Sequence, residues 1–97
     1  MTEPRTQRIR NVSLDLQDND ASRPIIDAIE RDNPNVELKR MPGMVKLTSP
    51  GHLVIRRLTV EEMSGQEWDT EELQLVIISL SGNIDTDEDQ ILIKWDR

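Results

Sequence analysis

The sequence predicts an α+β fold, built as a single small domain of 97 residues, and three observations carry that reading. Short stretches of period-two apolar alternation recur along the chain, as strands require. Between them lie short segments with an apolar stripe at helical spacing, and Pro and Gly mark the boundaries. A chain of this length supports one modest core.

Ile9 to Leu16 reads as the first strand, because Val12, Leu14 and Leu16 alternate with Ser13 and Asp15. Asp18, Asn19 and Asp20 are candidate N-caps for the helix that follows, and Pro24 suits a first turn, where its missing N–H costs little. Ile25, Ile26, Ala28 and Ile29 supply the stripe of that helix. It should stop near Asp32, since Asn33 precedes Pro34 and a residue before proline is pushed out of the helical region. Val36 to Arg40 and Met44 to Leu47 then form a hairpin around Pro42-Gly43, a pair that suits the centre of a type II turn.

Ser49, Pro50 and Gly51 are the clearest punctuation in the chain, after which Leu53 to Arg57 reads as a strand. Thr59 and Glu62 match a capping box, with Gly65 placed to end a short helix. Asp69 and Glu72 repeat the device and start a second short helix that runs into the apolar stretch Leu75 to Leu80. Ile91 to Trp95 closes the chain as a strand, with Ile91, Ile93 and Trp95 on one side. The order is strand-helix-strand-strand, then strand-helix-helix-strand-strand. These are two helix-plus-antiparallel-hairpin layers in a pseudo-repeat, within one domain over residues 1–97 whose first ten residues are expected to be a flexible N-terminus.

Leu75-Val76-Ile77-Ile78-Ser79-Leu80-Ser81-Gly82 is the most informative stretch. In a strand Leu75 and Ile77 point one way, while Val76, Ile78 and Leu80 point the other, so both faces are apolar. Either the strand is sandwiched within its own fold, or one face is left for something else to cover.

Charge is segregated behind the net value of −7. From Leu38 to Arg57 there are five basic residues and no acidic one, whereas Thr59 to Ile93 holds ten carboxylates and no Lys or Arg. Such a dipole steers docking to a complementary surface. The same figures argue against nucleic acid, because the basic footprint is small and no Phe or Tyr is present to stack on bases. No apolar run approaches the roughly 18 residues of a membrane span, and no signal-peptide segment follows Arg5, Arg8 and Arg10. A soluble, unexported, cytoplasmic protein with no membrane partner is the expectation, and the absence of Cys fits a reducing compartment.

The inventory of chemical groups points away from catalysis. Without Cys there is no thiol nucleophile and no thiolate metal site. His52 is the sole histidine, and Ser49 stands three residues before it where a di-iron carboxylate motif needs Glu. The four glycines are scattered singly, so no phosphate loop exists. Asp85, Asp87 and Asp89 follow the spacing of an EF-hand loop, but Gln90 replaces its glycine and Asp96 its bidentate Glu. A mobile acidic hairpin tip is the better reading. No catalytic residue, cofactor or metal is expected, and a chain so equipped works by contact.

A family resemblance rests on Val12-Ser13-Leu14-Asp15-Leu16-Gln17-Asp18-Asn19-Asp20, Ala28-Ile29, Asp32-Asn33-Pro34, Leu53-Val54-Ile55-Arg56-Arg57, Thr59-Val60-Glu61-Glu62, Gly65, Trp68-Asp69 and Ser81-Gly82-Asn83. In that order and spacing they resemble the small regulatory proteins of bacterial multicomponent monooxygenases, phenol hydroxylase type, with the methane and toluene monooxygenase effectors as more distant relatives. The resemblance runs from about Val12 to Trp95. It implies a cofactor-free effector whose partner is the di-iron hydroxylase component, and which alters that component's active site, turnover and coupling. A non-catalytic scaffold or adaptor holding the complex together is the alternative. The resemblance also implies that Val76, Ile78, Ser79, Leu80, Ser81, Gly82 and Asn83 form the partner-binding segment, leaving Leu75 and Ile77 as core.

Overall fold

The structure, a computed structural model, describes residues 9 to 95; the remainder of the proposed N-terminal segment and Asp96 lie outside the described residues. Ten elements follow one another: β1 Asn11–Gln17, α1 Arg23–Asp32, β2 Glu37–Met41, β3 Met44–Pro50, β4 His52–Arg56, α2 Arg57–Ser64, a 3-10 helix Thr70–Leu75, β5 Ile77–Ser81, β6 Asn83–Thr86 and β7 Gln90–Lys94. They build two antiparallel sheets, one ordered β2-β3-β1-β5 and the other β4-β7-β6. This is the expected α+β class.

Each sheet presents one apolar face inward. Val12, Leu14 and Leu16 of β1 and Val45 and Leu47 of β3 are buried in the first, Leu53, Ile55, Ile91 and Ile93 in the second. Ile25, Ile26, Ala28 and Ile29 of α1 complete the same core, joined by Val60 and Leu73. Burial of each large side chain contributes roughly 1.5 to 3 kcal/mol, so this shared core is what fixes one sheet against the other. Among the described residues no helix is long and apolar enough to cross a membrane.

Several boundaries differ from the sequence expectation for physical reasons. The cap of α1 is Ser22, which makes no side-chain cap bond. It is instead locked to Asn19, whose side chain accepts the Ser22 N–H at 3.0 Å while the Ser22 hydroxyl donates to the Asn19 carbonyl. Asn33 ends α1 from the inside: its amide donates to the carbonyls of Ile29 and Val54, and its oxygen accepts the Val54 N–H at 2.9 Å. One buried side chain thus ties the helix to β4. The hairpin forms as expected, with Gly43 at φ 79° where a type II turn demands it.

β3 runs through Ser49 to Pro50, and one residue, Gly51, turns it into β4. The capping box at Thr59 is not formed, because β4 passes straight into α2 at Arg57, two residues earlier. Gly65 does close α2, its N–H reaching the Glu61 carbonyl at 2.8 Å. Asp69 and Glu72 do form the predicted box, although the helix they start is 3-10. The second half also holds a strand the sequence hides: β6 is exposed along its length at the sheet edge and shows no apolar alternation. With β6 and β7 supplying the second hairpin, β5 is freed to join β1 in the other sheet.

Candidate protein-docking surface

The expected docking segment begins where two conformations meet. Because the 3-10 helix extends through Leu75 and Val76 is its non-helical cap, strand alternation starts only at Ile77. The face assignment of the first two residues is therefore inverted. Leu75, expected in the core, is 73% exposed, whereas Val76, expected to face a partner, is 2% exposed and belongs to the core.

Within β5 the alternation is broken again. Leu80 lies opposite Leu14 and Ser79 opposite Asp15, but Leu16 faces Ile77, so Ile78 is an extra residue in the ladder. A β-bulge of this kind lets two residues three apart share a face. Ile77 and Leu80 both pack on the core while Ile78 is turned out at 49% exposure. Ile77 is thus core-facing as expected. Leu80 is not outward, since its partner Leu14 is fully buried.

Ser79 and Ser81 are exposed on the outer face. Gly82 then carries the chain from one sheet to the other with φ 136°. A Cβ there would lie 2.8 Å from Ile93 Cγ2 and 3.2 Å from Val12 Cγ1, so only glycine fits this crossing. Asn83, exposed, opens β6 opposite Lys94. The structure therefore brings Ile78, Ser79, Ser81 and Asn83 to the surface as an outward series and sets Val76 and Leu80 inward.

Beneath Ser79 lies a residue that sequence reasoning passed over. Asp15 sits mid-strand on the outer face of the four-stranded sheet, yet its side chain is only 14% exposed. Its Oδ2 accepts the Ser79 hydroxyl at 2.7 Å, and its Oδ1 stands 3.4 Å from Lys46 Nζ. The available signal was a carboxylate in the middle of an apolar alternation.

The acidic hairpin is a second candidate surface, and it is more tightly held than expected. Asp87 Oδ1 accepts the N–H groups of Asp89 and Gln90, so this aspartate shapes the turn. The Thr70 hydroxyl donates to the Asp87 carbonyl at 2.7 Å, and Arg57 donates to the Asp89 carbonyl from its backbone and to the Glu88 carbonyl from Nε. The tip is thus hydrogen-bonded to α2 and to the 3-10 helix. Hydrogen bonding to Asp89 first, and the Glu61 charge next, raise the Arg57 guanidinium above its ordinary value. The charge segregation read along the chain is accordingly softened in space. Arg57, Glu61, Glu67, Trp68, Asp69, Glu72 and Glu88 line an open groove of about 660 Å³ there. Among the described residues no group of three or more His, Asp or Glu is placed to hold a metal ion, and His52 stands exposed at the start of β4.

Comparison with known proteins gives a consistent result. The MmoB/DmpM family model matches residues 10–94. The stimulatory component DmpM of phenol 2-monooxygenase from Pseudomonas sp. (strain CF600) is 38% identical over 84 residues, which is 87% of this chain and 93% of that protein. Of solved structures, a chain from a phenol hydroxylase–regulatory protein complex superposes with a TM-score of 0.85 at 38% identity, covering 90% of this chain and 100% of its own. The soluble methane monooxygenase regulatory protein B gives a TM-score of 0.70 at 16% identity over 97% of this chain and 74% of its own, a likeness of fold.

Proposed function

Because this chain belongs to the MmoB/DmpM family, we propose that it is the regulatory component of a phenol-hydroxylase-like multicomponent monooxygenase. It is not an enzyme; it binds the di-iron hydroxylase component and changes that component's turnover and coupling. The carrying observation is the match, along nearly the whole chain, to a stimulatory component of phenol 2-monooxygenase.

A protein that supplies no ligand and no electrons can act on a partner only by binding one of its conformations more tightly than another. A differential of ~1 to 3 kcal/mol biases such an equilibrium roughly 5- to 150-fold. Helices over a buried metal pocket repack between discrete states, so contact at the surface is enough to change access to the metal. We place the contact on the outward side of the β5-β6 crossing, at Ile78, Ser79, Ser81, Gly82 and Asn83, with cytoplasmic action by the whole chain as one domain. An apolar residue turned out by a bulge, beside two small hydroxyls, supports that choice. Val76 is withdrawn from the set because it is buried, and Leu80 acts only by packing beneath it.

Steady-state turnover separates regulation from mere assembly. With hydroxylase and its electron-delivering component both saturating, added protein should still raise substrate oxidation and its coupling to electron use. A scaffold would become dispensable under those conditions, and that result would replace the present reading.

A further inference from the structure

We propose that Asp15 is the positioning residue of the docking strand: it confines the β5 bulge to Ile77-Ile78 and so keeps an isoleucine, Ile78, as the extruded residue that faces the hydroxylase. The inference rests on the functional reading above.

The bulge is fixed at two points. On one side the Gln17 N–H donates to the Val76 carbonyl at 2.8 Å, and on the other the Ser79 hydroxyl donates to Asp15 Oδ2 at 2.7 Å. Between those points three residues of β1, Gln17 to Asp15, face four of the other strand, Val76 to Ser79, so one residue must be extruded. Burial alone does not choose which. Ile77 and Ile78 are the same residue, and either could fill the site beside Leu16 at equal apolar gain. Strand register is weakly specified where burial is indifferent, and the Asp15–Ser79 pair limits the slip to these two residues. Asp15 is well placed for that task, because a carboxylate 14% exposed needs its partners, and Ser79 and Lys46 flank it across the sheet. If Asp15 releases Ser79, the bulge is free to migrate toward Leu80 and Ser81, and Ile78 takes the place of Ser79 opposite Asp15, no longer the extruded residue.

Four variants test this: Asp15→Ala, Asp15→Asn, Ser79→Ala and the Asp15→Ala/Ser79→Ala double. Amide hydrogen exchange in the free protein reports the strand, and the concentration giving half-maximal stimulation of the hydroxylase reports docking. Asp15→Ala should speed exchange at Ile78 and Ser79 about tenfold, leave Ile91 and Ile93 unchanged, and raise the half-maximal concentration about tenfold. Asp15→Asn keeps an oxygen to accept the Ser79 hydroxyl and should stay within about twofold of the parent on both readouts. The double variant should be no worse than Asp15→Ala. Unchanged exchange and unchanged stimulation in Asp15→Ala overturn the inference, as does Asp15→Asn failing on both readouts like Asp15→Ala, which would make the charge itself the contact. Were the parent protein to stimulate no hydroxylase while the exchange pattern held, the functional reading would fall and the role of Asp15 in the bulge would stand.

Discussion

β7 and β5 are both five-residue strands rich in Ile and Leu, yet they behave differently. In β7, Ile91 and Ile93 are buried while Leu92 between them is only half-buried, so alternation in sequence is alternation in space. In β5, Ile77 and Leu80 face the core, and Ile78 faces out. β7 is the central strand of its sheet, paired on both sides without a slip, whereas β5 is an edge strand whose single ladder to β1 contains one. A strand's faces are set by its partners as much as by its own residues. The segment free of that double constraint is the one that turns an isoleucine to the surface.

The largest effect expected from this contrast is in the regular strand. Ile93→Ala removes a fully buried side chain and should lower unfolding free energy by about 2 to 5 kcal/mol in a urea titration. Gly82→Ala comes next, at about 2 to 4 kcal/mol, because the substitution combines a strained backbone with a contact against Ile93 that must give way. Val76→Ala should cost about 2 kcal/mol, marking that residue as core. Leu75→Ala should move the midpoint by no more than roughly 0.5 kcal/mol despite lying next in sequence. A large loss from Leu75→Ala beside a small one from Val76→Ala would restore simple alternation through residues 75 to 80 and erase the contrast.

The same contrast explains what could be read from the residues alone. β1, α1, the β2-β3 hairpin and β7 are legible because one face of each is buried by the same core and their polar residues fall on the other. Gly65 and the Asp69-Glu72 box are legible because backbone geometry demands those residues locally. β6 is not, since an edge strand with both faces exposed has no pattern to show. The faces of residues 75 to 80 are hidden for a different reason. Where a helix ends and where a bulge falls depend on the Gln17 to Val76 and Asp15 to Ser79 bonds, which join residues distant in sequence. The acidic tip misleads similarly: Asp87 to Asp89 look free until Arg57 and Thr70 are brought against them.

The most direct measurement of the central claim is a titration of Ile78→Ala against the parent protein, at saturating hydroxylase and electron-delivering component, with turnover followed throughout. Ile78 is half-exposed and lies outside the core cluster, so the variant should unfold within roughly 0.5 kcal/mol of the parent. The account predicts that it nevertheless needs several-fold more protein for half-maximal stimulation. Equal stimulation curves for the two proteins, with both fully folded, would show that the outward face of β5 does not meet the hydroxylase.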